Sequence, residues 1–318
     1  MAPMGAFITV DIGGTQIRAA AYPESGTQAL AVRKTSTRAG HEKAFDRLVE
    51  LIRSVFPRDG NVLSITVATA GPVDPQAGVI ASAPNIPGWD NYPLRDKLEA
   101  AFHVPTHLGN DANLAALGEW RFGAAQGHAH LLYLTISTGI GGGVIVDNRL
   151  LLGARGLAAE LGHLTVLPDG PVCSCGQRGH LEAVAAGPAI AAFVRDQLAL
   201  GAVSSLGGAS DLSARAVGQA AKQGDPLALR ALARSGEYIG MALADFLAVF
   251  NPSIVIFGGG VSFSGELLLA PVRRSLGLRV MDQAYLEGLV ITTAALGDNS
   301  GLLGGLALAH TLQPQVSA

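Results

Sequence analysis

The sequence predicts an α/β protein made of two related lobes, and three observations lead there. Strand-length apolar runs alternate with stretches of helical periodicity along the chain. Two segments, ITVDIGGTQIRAA and LTISTGIGGGVIV, open two halves with one device: a strand, a glycine-rich turn and a returning strand. The length of 318 residues, 49% of them hydrophobic, is enough for two domains with a core each.

The elements follow in order. AFITVD (6 to 11) predicts a first strand, IGGT a turn, QIRAAAY a returning strand and QALAVRKTST a third. HEKAFDRLVELIRSVF places apolar residues at helical spacing, and VLSITVATA reads as a buried strand. Pro84, Pro87 and Pro93 mark an irregular connection, APNIPGWDNYP. A short helix (LRDKLEAAF), a strand (VPTHLG) and a helix from about Asp111 to Phe122 come next. The second half opens with the strand LLYLTIS, the turn TGIGGG and the returning strand VIVDN. A helix near GPAIAAFVRDQLAL, a Gly/Ser-rich connection (201 to 210) and a long helical stretch from Asp225 to Phe250 follow. SIVIF is a buried strand running into GGG, LVITTAAL a last strand and SGLLGGLALAHTL a terminal helix. No short period recurs, so the likeness of the halves is a weak duplication rather than a tandem repeat. The boundary is expected near residues 112 to 123: residues 1–112 with about 303–318 form a small lobe, and 113–302 a large one.

Composition excludes several function classes. With 22 Lys and Arg against 25 Asp and Glu, the net charge is −3, and no basic excess is there to meet a phosphate backbone. No apolar run approaches the ~18 residues a membrane span needs. The N-terminus, MAPMGAFITVDIGGT, has no basic leader and passes straight into a strand, so a cytoplasmic protein is expected. A reducing compartment and the C-x-C spacing both argue against a disulfide between the only two cysteines, Cys173 and Cys175.

Three motifs carry chemistry. A glycine hairpin brings backbone N–H groups against phosphate oxygens, although GG between strands is also simply a tight turn. IGGT, TGIGGG and FGGG each follow a buried strand; none is a Walker A loop or a GxGxxG opening a helix. Asp11, Thr15 and Thr138 are candidates to attend a magnesium triphosphate there. GNDAN (109 to 113) places Asn110 and Asp111 between a strand and a helix, as a helix cap or as an acid that takes a hydroxyl proton. His163, Cys173, Cys175 and His180 make an N2S2 set suited to Zn2+, with a solvated His180 as the alternative.

In order along the chain, VDIGGT, TAGPVD, APNIPGW, GNDAN, STGIGGG, AELGHL, CSCGQRGHLE, VIFGGG and LGDNSGLLGG resemble the ROK family of sugar kinases, bacterial glucokinases most of all. The resemblance implies an actin-like, hexokinase-type (ribonuclease H-like) α/β fold with sugar and ATP in a cleft between two lobes. It implies Asp111 as general base, with Gly71, Asn85, Asn110, Glu160, His163 and Glu182 around the sugar. Asp11, Gly13, Gly14, Thr15, Thr138 and Gly139 would attend the phosphates, and Gly258, Gly259 and Gly260 the adenosine side. The family's cysteine signature has a third cysteine where this chain has His180, and zinc is expected on His163, Cys173, Cys175 and His180. The implied reaction is phosphorylation of an aldohexose, glucose first, at its 6-hydroxyl by ATP with Mg2+, in a homodimer. N-acetylmannosamine, N-acetylglucosamine, allose or fructose are alternative acceptors and polyphosphate an alternative donor. Repressors of the family carry a helix-turn-helix ahead of the DIGGT strand; here that strand begins near residue 6, which disfavours that role.

Overall fold

The computed structural model describes residues 5–37, 44–58, 61–83 and 86–313; Asn85, expected at the sugar, lies outside them. In chain order the elements are β1 (Ala6–Ile12), β2 (Gln16–Pro23), β3 (Ala31–Ser36), α1 (Ala44–Arg53), β4 (Val62–Thr69), β5 (Val73–Asp74), β6 (Val79–Ile80) and α2 (Leu94–Phe102). Then come β7 (Thr106–Asn110), α3 (Asp111–Phe122), β8 (Leu131–Ile136), β9 (Ile140–Val146), β10 (Arg149–Leu150), α4 (Leu181–Ala185), α5 (Gly187–Ala199) and α6 (Ala214–Lys222). The chain continues with α7 (Pro226–Phe250), β11 (Ile254–Gly258), α8 (Glu266–Arg279), β12 (Val290–Thr293) and α9 (Ser300–Leu312).

Two compact units result. One comprises Met1–Gly127, Leu150–Ala159 and Ala295–Ala318, the other His128–Arg149 and Glu160–Ala294. Each holds a five-stranded sheet, β3-β2-β1-β4-β7 in the first and β10-β9-β8-β11-β12 in the second. The strand after each glycine turn runs antiparallel to the strand before it, and the next strand to join is parallel: β1 pairs with β2 and β4, β8 with β9 and β11. The duplication seen in the sequence is therefore one of topology.

In the first unit, β1 buries both faces because side chains alternate across a strand. Ile8, Val10 and Ile12 join Leu48 and Ile52 of α1 and Leu94 and Leu98 of α2. Phe7 turns the other way, to Tyr22 and to Leu302, Leu303 and Leu306 of α9. Each fully buried leucine, isoleucine or phenylalanine contributes about 1.5–3 kcal/mol. Helix α9 crosses α3 at backbone distance, since a Cβ on Gly118 would lie 2.9 Å from the Gly304 nitrogen.

In the second unit, α7 is capped by Asp225, whose side chain accepts from the N–H groups of Leu227 and Ala228, with Pro226 at the first helical position. It ends at Asn251, in the left-handed region at φ 42°. The expected glycine turn TGIGGG is mostly strand. Ile136 pairs with Ile140, which confines the turn to Ser137–Gly139, and Gly141, Gly142 and Gly143 extend the ladder opposite Thr135, Leu134 and Tyr133. Helices α6 and α8 are further elements that the periodicity did not announce.

Candidate active site

At the first turn, Gly13 donates its N–H to the Gln16 carbonyl at 3.0 Å, and the Thr37 hydroxyl donates to the Gly13 carbonyl at 2.8 Å. Gly14 completes the bend, and Thr15 is exposed, with its carbonyl taking the Thr37 N–H. Asp11, the penultimate residue of β1, stands directly opposite Arg18 on β2, and the two form a 2.5 Å ion pair, 16% and 22% exposed. A Cβ on Gly301 would lie 2.8 Å from the Asp11 carboxyl carbon, so the first turn of α9 rests against this carboxylate. A helix N-terminus favours negative charge there. The Arg18 partnership follows from hairpin register, which motif spacing does not reveal.

Of the two candidates in GNDAN, Asn110 takes the helix-cap role. Asn110 is the cap: its Oδ1 accepts from the N–H groups of Ala112 (3.0 Å) and Asn113 (3.1 Å), and its Nδ2 donates to the Gly71 carbonyl at 3.2 Å. Gly71 itself sits at φ +94°, a conformation that suits glycine. Asp111 occupies the first helical position, half-buried, with Oδ1 accepting the Ala112 N–H at 2.8 Å. At the other end of α3, fully buried Glu119 accepts from the N–H groups of Ala124 (2.8 Å), Ala295 (3.1 Å) and Leu296 (2.8 Å). Nothing in its sequence neighbourhood signals that clasp.

In the second unit, Thr138 lies exposed on the Ser137–Gly139 turn and borders a cavity of about 590 Å³. Arg215, Gln219 and Lys222 of α6, together with Gly260 and Phe263, line it as well. The 215, 219, 222 spacing places three polar side chains on one helical face, a pattern present in the sequence itself. The three glycines at the end of β11, Gly258, Gly259 and Gly260, differ. A Cβ on Gly258 would strike the Tyr133 hydroxyl, and one on Gly259, at φ +79°, would strike the Ile136 backbone. Gly260 has open space and borders the cavity.

The cysteine loop gathers its four ligand candidates. The ligand atoms of His163, Cys173, Cys175 and His180 all lie within 4.8 Å of one another. Cys173 Sγ is 3.5 Å from His163 Nδ1, and Cys175 Sγ is 3.3 Å from His180 Nδ1. Tetrahedral zinc, with bonds of about 2.0–2.3 Å, separates its ligands by roughly 3.3–3.8 Å, so two of the Cys–His pairs stand at that separation and the donor set is consistent with the ion. The imidazoles meet edge to face at 5.5 Å. Burial pushes the Cys173 thiol above its ordinary value, so a thiolate there calls for a cation beside it. Glu160 precedes the 3-10 turn Leu161–His163, and burial raises its carboxyl; His163 works against that rise and Glu182 adds to it. Glu182, in the first turn of α4, accepts the Ile140 N–H at 3.0 Å and the Ser174 hydroxyl at 2.5 Å.

Comparison with known proteins returns consistent matches. A family model described as ROK family matches residues 7–312. The glucokinase of Thermotoga maritima is 38% identical over 95% of this chain and 96% of its own length. The glucokinase of Streptomyces coelicolor is 35% identical over 98% and 99%. Among solved structures, a ROK family glucokinase from Streptomyces griseus in complex with glucose and AMPPNP matches at a TM-score of 0.83 and 36% identity, covering 96% of this chain and all of that one.

Proposed function

Because this chain belongs to the ROK family, we infer that it is an ATP-dependent kinase that transfers the γ-phosphoryl group to the 6-hydroxyl of glucose. Its α/β units have the actin-like, hexokinase-type (ribonuclease H-like) fold of that family's sugar kinases. The observation that carries the reading is identity to glucokinases over nearly the whole of both chains. The placement of Asp111 at a helix N-terminus supports it.

Phosphoryl transfer asks a protein mainly for alignment and charge neutralisation. In this reading Asp111 accepts the 6-hydroxyl proton as the oxygen attacks, while Asn110, Gly71 and Asn85 position the sugar. Glu160, His163 and Glu182 take hydroxyls at the reducing end. Thr138, Gly139 and the Gly13–Gly14–Thr15 turn attend the phosphates, and the cavity bordered by α6, Gly260 and Phe263 takes the nucleoside. Mg2+ bound with ATP neutralises charge on the phosphate oxygens. Asp11, engaged by Arg18 through Oδ2, would hold that ion's waters through its other oxygen.

Zinc in this reading is structural, since four protein ligands leave no open position. His163 would bind it through Nδ1, the nitrogen facing Cys173, and turn Nε2 to the sugar. We further place the protein in the cytoplasm as a homodimer, a pairing that light scattering of purified protein tests. A coupled ADP-release assay over glucose, fructose, allose, N-acetylmannosamine and N-acetylglucosamine, with polyphosphate as a second donor, tests the activity. Glucose with ATP is expected to give the highest kcat/KM; a panel in which no sugar is turned over sinks the reading.

A further inference from the structure

Glu182 touches two structures that the sequence separates widely. Through Oε2 it accepts the N–H of Ile140, the residue that follows the Ser137–Gly139 turn, at 3.0 Å. The carboxylate also packs on the turn itself, because a Cβ on Gly139 would lie 2.5 Å from Oε2. Through Oε1 it accepts the hydroxyl of Ser174 at 2.5 Å. Ser174 is the residue between the two cysteines, so this carboxylate spans from the metal loop to the second glycine turn.

The anchoring at each end gives the bridge a direction. Glu182 stands in the first turn of α4, two residues after His180, which occupies the position just before this helix. The Cys173 N–H bonds to the Gln177 carbonyl at 2.7 Å and the Gly176 N–H to the Cys173 carbonyl at 2.9 Å, so the loop has its own internal turn. The glycine turn is tied by the Ser137 N–H to the Gly139 carbonyl and by the Gly187 N–H to the Ser137 carbonyl. The Ile140 N–H is held from outside by Glu182, and a charged acceptor is stronger than a neutral one.

Resting on the kinase reading above, we propose that Glu182, oriented by Ser174, is a positioning residue for the phosphoryl donor. It holds the Thr138–Gly139–Ile140 segment in the shape that meets the nucleotide, and so makes order in the cysteine loop a condition of donor binding as well as sugar binding. Glu182 retains lone pairs beyond these bonds, so a sugar contact and the bridge are compatible.

The test uses the zinc-loaded full chain and the variants Ser174→Ala, Ser174→Thr and Glu182→Gln. Zinc per chain, AMPPNP affinity by calorimetry, and amide hydrogen exchange across residues 137–141 are measured beside the KM for each substrate. Ser174→Ala is expected to keep its zinc, weaken AMPPNP about three- to tenfold, speed exchange at 137–141 and move the sugar KM less than the nucleotide KM. Ser174→Thr, which keeps the hydroxyl, is expected to restore wild-type values, and Glu182→Gln to weaken AMPPNP at least as much as Ser174→Ala. Wild-type protein that binds AMPPNP while Ser174→Ala binds it equally well, or shifts the sugar KM alone, overturns the proposal and leaves the kinase reading standing. Loss of zinc from Ser174→Ala also overturns it, by assigning Ser174 to metal retention. Wild-type protein that binds no AMPPNP at all overturns the kinase reading itself.

Discussion

The two glycine turns occupy equivalent places in two sheets of the same strand order, yet they are braced in different ways. The first is braced by an ion pair of its own hairpin and by two neighbours: Asp11 and Arg18 face each other across β1 and β2, Thr37, which follows β3, closes over Gly13, and the first turn of α9 rests on Asp11. The second has no acid at the end of β8; its brace is Glu182, which reaches the Ile140 N–H from 42 residues away. A hairpin that carries its own ion pair keeps its shape as long as the sheet does. A turn held by a remote loop takes on whatever state that loop is in. One topology used twice has thus produced a turn with an ion pair inside its hairpin and a turn whose charged brace comes from a separate loop.

The largest effect that separates the units belongs to the first. Asp111→Asn is expected to lower kcat by about 10²–10⁴ while glucose binding by calorimetry stays within severalfold. Retention of activity within about tenfold would remove Asp111 as the base. The second unit should answer to metal removal in another way: chelation is expected to raise the sugar KM on the order of tenfold and to lower kcat less. Equal changes in both would show that the cysteine loop does not act through substrate placement. Elemental analysis is expected to find one zinc per chain beforehand.

Smaller effects sharpen the contrast in stability. Glu119→Gln puts an amide NH2 where three backbone N–H groups now find a carboxylate, and should cost about 1–3 kcal/mol in denaturant unfolding. In the second unit, burial alone would raise the Asp225 carboxyl. The bonds it accepts from the Ala228 N–H and from Ser205 and Ser204 instead hold it well below the usual carboxylate range. A depressed folded-state pKa stabilises above the unfolded value, about 3.9, and that stability is lost as the pH falls below it. Asp225→Asn is therefore expected to lower stability at neutral pH by about 0.5–2 kcal/mol and to flatten its decline between pH 5 and 3. An unchanged slope would show that this cap is not a source of acid sensitivity.

How far the sequence could be read follows from the range of the interactions. β1, β4, β8 and β11 are apolar runs between glycines or prolines, so local pattern suffices for them. Helix α8 hid behind Pro271, which reads as a breaker, and α6 is only nine residues long, set between a Gly/Ser-rich stretch and the much longer α7. TGIGGG looked like a turn because glycine is the commonest turn residue, whereas hairpin register leaves most of it in the strand. In the site, residue types at short spacing were legible: GNDAN, and the His163, Cys173, Cys175, His180 set that the fold does gather. The partners of those residues were not. Arg18 on Asp11, Ser174 and Ile140 on Glu182, and the chain at Ala295 and Leu296 on Glu119 are set by register and folding at a distance.

The packing of α9 on the first sheet has a consequence for how the molecule is made. Phe7, Ala20 and Tyr22 are translated early, but the leucines that cover them, Leu302, Leu303 and Leu306, come almost three hundred residues later. A nascent chain leaving the ribosome therefore lacks these leucines over the sheet face through nearly all of its synthesis, with only earlier residues such as Leu63 and Phe122 to cover it, and incompletely covered apolar surface is what chaperones bind. Stopping translation before residue 300 would leave the α9 side of that cluster unfilled.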